Sequence, residues 1–302
     1  MTDGTGNDEF GSLGEVAAEL GLEQAAIKQV ARHSVEVGGH QQVSVLVWGE
    51  TEPELVFLHG GGQNAHTWDL VLAALGRPAI AIDLPGHGHS SWRENRDYGP
   101  GTNALAVAQV ISELAPAAAG VIGMSLGGLT LIRLGATRSE LVRRAVIVDV
   151  TPGSAAAHAR MSRTERGTTQ LISEHRSFAS LDEMAGLAVQ ASPRRPAAAV
   201  RRGVRHNTRQ LPDGTWTWRY DPQIGSAQGS HGTLWDDLSR LSMPVMLVRG
   251  GDSAFVTAQD LARATASLPA MRVEVVPGAG HAVQSDQPLA LAALITEFVP
   301  SA

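Results

Sequence analysis

The sequence contains no cysteine among its 302 residues. The chain therefore forms no disulfide, holds no thiolate-bound metal and has no cysteine nucleophile, which suits a reducing compartment. It also lacks an apolar run long enough to span a bilayer, and its acidic N-terminus lacks the apolar core of a signal peptide. We therefore expect a cytoplasmic protein without a membrane span.

Lys and Arg are also fewer than Asp and Glu. The 24 Lys and Arg residues face 30 Asp and Glu residues, which gives a formal net charge of −6. Proteins that bind the phosphate backbone usually show an overall basic bias, so we expect no nucleic-acid partner. The length is sufficient for one large domain with a substantial core, and the composition does not indicate an oligomeric state.

The chain does contain a regular alternation of short β-rich runs and helix-like runs from residue 29 onward. This pattern is typical of an α/β protein built on a mostly parallel sheet. Eight strands are predicted, at residues 32–37, 43–47, 55–58, 79–82, 120–123, 145–148, 245–248 and 272–276. The pair Gly38-Gly39 favours a hairpin between the first two strands, so the sheet should begin with an antiparallel edge. Helix-like segments follow Thr67, Thr102, Leu126, Thr257 and Gln287.

The fifth predicted strand runs directly into Gly123-Met124-Ser125-Leu126-Gly127 and then into a helix-like segment. This is the pattern of a nucleophile elbow, in which a serine occupies a strained strand-to-helix turn. Small residues are needed two positions to either side because the backbone is crowded there. The following helix directs backbone N–H groups and the positive end of its dipole toward the serine. The sequence therefore predicts that Ser125 is placed for acyl transfer.

Two further motifs accompany the elbow, HGGGQNAHTW from His59 and DLPGHGHS from Asp83. Together with GMSLGG, they make the chain resemble the α/β-hydrolase superfamily over about residues 30–300, and within it bacterial carboxylesterases. The resemblance implies an eight-stranded, mostly parallel sheet flanked by helices, with an inserted cap. It also implies that the N–H groups of Gly61 and Leu126 form an oxyanion hole.

The glycine loop after His59 supports this interpretation on physical grounds. Two converging backbone donors stabilise a tetrahedral oxyanion, and glycine allows the main chain to approach a substrate closely. Gly60 and Gly62 are therefore candidates for lining the substrate pocket. His59 itself is interpreted as a residue that orders its own loop.

The C-terminal third supplies the remaining catalytic candidates. Asp252 follows the seventh predicted strand, and His281 follows the eighth, which gives the chain order nucleophile, acid, histidine that this fold uses. We expect His281 to act as the base toward Ser125 and Asp252 to orient His281. Asp149, at the end of the sixth strand, remains the competing candidate for the acid, because some members of the superfamily place it there.

Regular alternation stops between residues 152 and 235, where this fold commonly carries a cap. Between 152 and 232, eleven arginines face six carboxylates, a net charge of +5, whereas the rest of the chain carries −11. We interpret the arginines as a solvated face. A turn is predicted at residues 211–214, followed by Trp216, Trp218 and Tyr220 at period two. These three aromatics either line an acyl pocket or pack the cap on the core.

The chain is accordingly divided into four segments. Residues 1–11 are predicted to be a disordered acidic tail and 12–30 a helix capped by Ser12. They precede the first part of the core at 31–151, a cap at 152–235 and the second part of the core at 236–302.

The expected function is hydrolysis of carboxylic esters with short to medium acyl chains through an acyl-enzyme. A carbon–carbon bond or lactone hydrolase with the same three residues remains an alternative, as does a ligand-binding protein that has lost catalysis. No cofactor is expected. A metal at His87 and His89 is disfavoured because no further ligands accompany them and serine hydrolysis requires no metal. The partner expected is a small-molecule ester.

Overall fold

The computed structural model describes residues 9–23, 27, 29–173, 176–224 and 233–301. Eight strands form one sheet, and two short strands form a separate hairpin. In chain order the strands are β1 (Val30–Val37), β2 (Gln41–Trp48), β3 (Leu55–Leu58), β4 (Ala79–Ile82), β5 (Gly120–Met124), β6 (Ala145–Val148), β7 (Thr208–Gln210), β8 (Trp216–Trp218), β9 (Val245–Gly250) and β10 (Arg272–Val276).

The main sheet has the strand order β1-β2-β4-β3-β5-β6-β9-β10. Strand β2 pairs antiparallel with both β1 and β4, and every other pairing in this sheet is parallel. All eight predicted strands are therefore present, with bounds within two residues, and the antiparallel edge is confirmed. Every residue of β3, β4, β5 and β6 is buried, as expected for parallel strands covered on both faces.

Helices cover both faces of the sheet. In chain order they are α1 (Leu13–Leu20), α2 (Asp69–Leu75), α3 (Pro100–Leu114), α4 (Leu126–Thr137), α5 (Ser154–Arg160), α6 (Arg163–Arg166), α7 (Leu181–Gln190), α8 (Ala197–His206), α9 (Leu234–Ser239), α10 (Ala258–Ser267), α11 (Val283–Asp286) and α12 (Pro288–Phe298). One apolar cluster joins the sheet to α3, α4 and α9, and a second joins its other face to α2 and α12. The parallel strands thus end at one edge between these two layers.

The inserted segment, residues 152–224 of the described chain, adds nothing to the main sheet. It contains α5 to α8 and the β7–β8 hairpin, and its apolar side chains form a cluster of their own around Met184 and Trp218. The predicted turn is present: Leu211 N–H donates to Thr215 O at 2.7 Å, and Gly214 has φ +84°. Residues of this segment line one cavity together with Gly60 and Ser125, which follow β3 and β5 at the carboxyl ends of the parallel strands.

The N-terminal region differs from the sequence prediction. Helix α1 ends at Leu20 because Gly21 adopts φ +66°, so it does not continue to residue 30. Residues 1–8 of the predicted tail lie outside the described residues. Glu9 does not behave as part of a loose tail, since it is 5% exposed and its carboxylate contacts Arg32 at 2.5 Å.

Helix α1 also contacts the inserted segment through charge. Arg202 of α8 donates to Glu19 at 2.6 Å, and Arg205 donates to Glu15 at 2.9 Å. The Arg202 side chain is only 8% exposed. The interpretation of these arginines as a solvated face is therefore wrong for Arg202, because the acidic face of α1 covers it. No helix in the described part of the chain is long and apolar enough to cross a membrane.

Candidate active site

Ser125 lies at the turn between β5 and α4, at the edge where the parallel strands end. Its backbone has φ +50° and ψ −116°, a strained conformation for a residue with a side chain. A Cβ on Gly123 would collide with the Gly127 backbone, and a Cβ on Gly127 would collide with the Leu58 carbonyl. The two glycines are therefore required by the crowding that the elbow pattern implies.

The imidazole of His281 connects Ser125 to Asp149. Its Nε2 lies 3.1 Å from Ser125 Oγ, and its Nδ1 lies 2.8 Å from Asp149 Oδ2. The carboxylate can only accept, so Nδ1 carries the proton that it donates to Asp149, and Nε2 is left to accept from Ser125. This hydrogen-bonded line of serine, imidazole and carboxylate is the arrangement that activates a serine nucleophile.

Asp149 is fully buried at the end of β6. Its Oδ1 accepts the Gly250 N–H at 2.9 Å, and its Oδ2 accepts Ser253 Oγ–H at 2.5 Å in addition to the His281 proton. The residue adopts φ +49°, which turns the carboxylate from the end of the strand toward His281. An ionised carboxylate can be buried here because three donors satisfy its oxygens.

The prediction that Asp252 orients His281 is wrong in this geometry. The Asp252 side chain is 52% exposed and faces Arg194 at 3.5 Å. Its loop does curl back, since Asp252 N–H donates to Ala279 O at 2.9 Å, but the side chain points into the cavity. Asp149 already occupies the place beside Nδ1, and it is the alternative that the sequence had left open.

The loop that carries Asp252 contributes two contacts that have no signature in the sequence. The Phe255 ring stacks on the His281 imidazole with centroids 3.4 Å apart and planes 6° apart. Ser253 reaches Asp149, as described above. Neither residue belongs to a recognisable motif, so only the folded arrangement of β6, β9 and β10 brings them to the site.

The glycine loop faces the nucleophile from β3. A side chain at Gly60 would lie 2.6 Å from Met124 Sδ and 3.2 Å from Ser125 Cβ, so the loop can pass only without one. Among the described residues, no acceptor is found for the N–H of Gly61 or of Leu126. Gly61 borders the cavity that Ser125 also lines, and Leu126 follows Ser125 as the first residue of α4. Two unpaired donors on either side of the nucleophile can serve an incoming oxyanion.

His59 holds this loop from beneath. Its imidazole lies 2.7 Å from Gly60 O through Nδ1 and accepts the Leu84 N–H at 2.9 Å through Nε2. Burial lowers the pKa of His59, which favours the neutral ring that this pair of contacts requires. The interpretation of His59 as a loop-ordering residue agrees with these contacts.

A cavity of about 710 Å³ lies between the glycine loop, Ser125 and the inserted segment. Gly60, Gly61 and Gly62 border it on the core side, and Trp218 and Tyr220 border it on the opposite side. The two aromatic rings stack, with centroids 6.1 Å apart.

Trp216 does not border the cavity. It belongs to the apolar cluster of the inserted segment and bridges to Phe178 through the backbone. The period-two pattern carries no information on distance from the nucleophile, and two residues along a strand are about 6.6 Å apart. Trp216 is therefore a packing residue, and two of the three candidate aromatics remain.

Beside the cavity, a network of charged residues joins the inserted segment to the core. His66 lies 2.9 Å from Asp69 Oδ2 and 3.1 Å from Glu9 Oε1, and its ring stacks on His206 of α8 at 3.8 Å. Burial opposes the charged form of His66, but the adjacent Asp69 carboxylate and the hydrogen bonds raise its pKa to about 9. Burial and the neighbouring charge hold the pKa of His206 well below its usual value. A cationic ring thus stacks on a neutral one.

In the described part of the chain, this network contains the one group that could hold a metal ion. His66, Asp69 and His206 each offer an atom, and these atoms lie within 4.8 Å of one another. A metal lies in the plane of each imidazole that binds it, whereas these two rings are nearly parallel, at 15°, and stacked. Both nitrogens of His66 already face carboxylates. We interpret the group as a link between the inserted segment and the core.

The second histidine pair, His87 and His89, is placed differently. Burial lowers the pKa of His87 to about 3 and that of His89 to about 4, so both rings are neutral near pH 7. His87 Nδ1 lies 3.1 Å from Pro85 O, within its own turn. Asp83 is fully buried and accepts from the Ala65 N–H, the His89 N–H and Arg32, which makes it the structural centre of this turn.

Known proteins agree with this architecture. The sequence model of the alpha/beta hydrolase family matches residues 55–294. Esterase Rv0045c of Mycobacterium tuberculosis is 48% identical over 292 residues, which is 96% of this chain and 95% of that protein. A solved structure of the same esterase superposes with a TM-score of 0.87 at 47% identity, covering 98% of this chain and 100% of that one.

A more distant relative shares the fold. The 2-(acetamidomethylene)succinate hydrolase of Mesorhizobium japonicum is 29% identical over 252 residues, covering 82% of this chain and 88% of that protein. The family model covers most of the chain, and the eight-stranded, mostly parallel sheet is the one that the motifs implied. The chain therefore belongs to the alpha/beta hydrolase family.

Proposed function

We propose that this protein is a serine esterase that cleaves carboxylic esters through an acyl-enzyme on Ser125. The observation that carries the proposal is the line from Ser125 Oγ to His281 Nε2, at 3.1 Å, and from His281 Nδ1 to Asp149 Oδ2, at 2.8 Å. Support for an ester substrate comes from the 48% identity to a relative named as an esterase.

In the proposed reaction, Ser125 Oγ attacks the ester carbonyl carbon while His281 Nε2 takes its proton. The carbonyl oxygen becomes an oxyanion, which the N–H groups of Gly61 and Leu126 stabilise. His281 then returns the proton to the leaving alcohol as the tetrahedral intermediate collapses to the acyl-enzyme. Asp149 holds the imidazole in the required tautomer and stabilises its charged form.

Deacylation repeats these steps with water. His281 removes a proton from the water that attacks the acyl carbonyl and then returns it to Ser125 Oγ, which releases the carboxylic acid. Acyl chains of short to medium length are the proposed substrates, and the cavity of about 710 Å³ has room for them. The inserted segment acts as a cap in this proposal, since it closes the cavity opposite the glycine loop.

A panel of p-nitrophenyl esters with acyl chains of graded length, beside a fluorophosphonate probe, tests this function. We expect turnover that is highest for a short or medium chain, and a single covalent adduct located on Ser125 by mass spectrometry. Formation of the adduct without hydrolysis of any ester would keep Ser125 as the nucleophile but would indicate an acyl substrate other than these esters. A purified, folded protein that neither reacts with the probe nor hydrolyses an ester would refute it.

Trp218 should set the length of acyl chain that the cavity accepts. The ring is 4% exposed and borders the cavity, so Trp218→Leu enlarges the space opposite Ser125. We expect the preference for longer esters, measured as kcat/KM of a longer ester divided by kcat/KM of a shorter one, to rise by about tenfold. The enlarged pocket can bury methylene groups of the longer acyl chain that the wild-type pocket excludes. The ester panel measures this ratio.

Trp216→Leu is the matched control. The same change removes a ring from the same hairpin, but outside the cavity, so it should lower stability without moving the chain-length preference. Equal ratios for wild type and both variants would show that Trp218 is only a packing residue.

A further inference from the structure

The loop between β9 and α10, residues 251–256, contacts both members of the His281–Asp149 pair. We propose that Ser253 and Phe255 of this loop are positioning residues that hold the pair in the geometry of the proposed reaction. The inference rests on the proposed function, since it concerns the same site. By the resemblance drawn from the sequence, this loop is the expected place of the acid itself.

Ser253 acts on the carboxylate. Its hydroxyl lies 2.5 Å from Asp149 Oδ2, and its oxygen accepts the Phe255 N–H at 3.2 Å. Because the ionised carboxylate can only accept, the hydroxyl proton points to Asp149. Oδ2 therefore accepts two hydrogen bonds, one from Ser253 and one from His281 Nδ1 at 2.8 Å. The Gly250 N–H fixes the other oxygen, so the carboxylate cannot rotate.

Sharing Oδ2 also adjusts the strength of its contact with His281. A donor that stabilises the carboxylate charge makes that oxygen a weaker acceptor for the imidazolium. Ser253 thus fixes the direction of Oδ2 and also weakens the stabilisation that Oδ2 gives to the charged imidazole. At 6% exposure, the hydroxyl has little competition from water.

Phe255 acts on the imidazole. Its ring is 6% exposed and lies flat against His281, 3.4 Å between centroids. A flat neighbour on this face prevents the imidazole from turning out of the line between Ser125 and Asp149. The Phe255 backbone is itself anchored, since its carbonyl accepts Ser154 Oγ–H at 2.8 Å.

Replacing the Ser253 hydroxyl tests the first contact. In Ser253→Ala, Asp149 Oδ2 loses a donor and stabilises the charged imidazole more strongly, so the pH midpoint of the acid limb of kcat/KM should rise by about half a unit. We expect kcat/KM near pH 7 to fall by about tenfold. Ser253→Thr keeps the hydroxyl and should restore the wild-type midpoint.

Ser154→Ala is the matched control. It removes a buried hydroxyl that bonds the same loop at the Phe255 carbonyl but is not bonded to Asp149 or His281, so it shows whether loosening the loop alone moves the pH midpoint. Thermal denaturation should show a loss of stability similar to that of Ser253→Ala, whereas the pH midpoint should stay at the wild-type value. A midpoint in Ser253→Ala that equals wild type, with only stability reduced, would overturn the role of Ser253.

Phe255→Leu tests the second contact, since it keeps an apolar side chain but removes the flat ring. We expect kcat to fall by about tenfold with KM within about twofold, because the imidazole is less often aligned while the cavity is unchanged. An unchanged kcat would overturn the role of Phe255.

NMR titration of the His281 ring protons gives a readout that needs no turnover. In Ser253→Ala the titration midpoint should move in the same direction as the kinetic one, and in Ser154→Ala it should not. Failure of the proposed function appears differently, as a wild-type protein without esterase activity or an adduct at Ser125. The titration still decides the role of Ser253 in that case.

Discussion

Ser125→Ala should abolish ester turnover while leaving the fold intact. Alanine has the same Cβ as serine and therefore carries a similar strain at φ +50°, but it has no oxygen to attack the carbonyl or to bond His281. We expect kcat to fall by about 10⁴ or more, with the free energy of unfolding changed by no more than about 0.5 kcal/mol. Steady-state kinetics and thermal denaturation measure the two effects.

The fluorophosphonate probe provides the control for this variant. Wild type should gain one adduct, and Ser125→Ala should gain none under the same conditions. An adduct on another serine, or turnover in the variant within tenfold of wild type, would show that Ser125 is not the nucleophile.

Asp149→Asn should be nearly as damaging. The Gly250 N–H donates to one oxygen of residue 149, so the asparagine keeps its oxygen there and turns its amide nitrogen toward His281. The imidazole must then accept at Nδ1 and carry its proton on Nε2, where it cannot take the proton of Ser125. The same change in a serine-protease triad lowers kcat by about 10⁴, and we expect a loss of that order here.

The fold should survive this substitution, because asparagine tolerates the positive φ that Asp149 adopts better than most residues do. Asp252→Asn is the matched control. Its carboxylate is half exposed and, among the residues that the structure describes, is paired with Arg194 alone, so we expect kcat/KM within about threefold of wild type. Circular dichroism should show that both variants are folded. An inactive Asp252→Asn beside a nearly normal Asp149→Asn would reverse the assignment of the acid.

The choice between these two carboxylates shows what the sequence could not decide. Both residues follow predicted strands, and both positions are compatible with the fold. The local sequence pattern therefore does not show which of the two is the acid that orients His281. The decision depends on strand order: β6 lies between β5 and β9, and Asp149 N–H bonds Val248 O of β9 at 2.7 Å. That pairing, with the positive φ, directs the side chain toward His281. Neither feature has a signature in one sequence.

Features with a local signature were predicted well. The eight strands, the hairpin at the edge of the sheet, the crowded glycines of the elbow and the turn at residues 211–214 each depend on residues close together in the chain. Contacts between distant segments were not predicted. Glu9 illustrates this, because its partners Arg32 and His66 lie 23 and 57 residues away and nothing in an acidic N-terminus identifies them.

The chain enters the inserted segment only a few residues after Asp149. Ser154 stands at that entrance, and its hydroxyl accepts the Thr151 N–H at 2.9 Å and donates to the Phe255 carbonyl. These bonds fasten the first residue of α5 to the core. The turn that follows the acid, the start of the inserted segment and the loop of Phe255 therefore form one hydrogen-bonded junction.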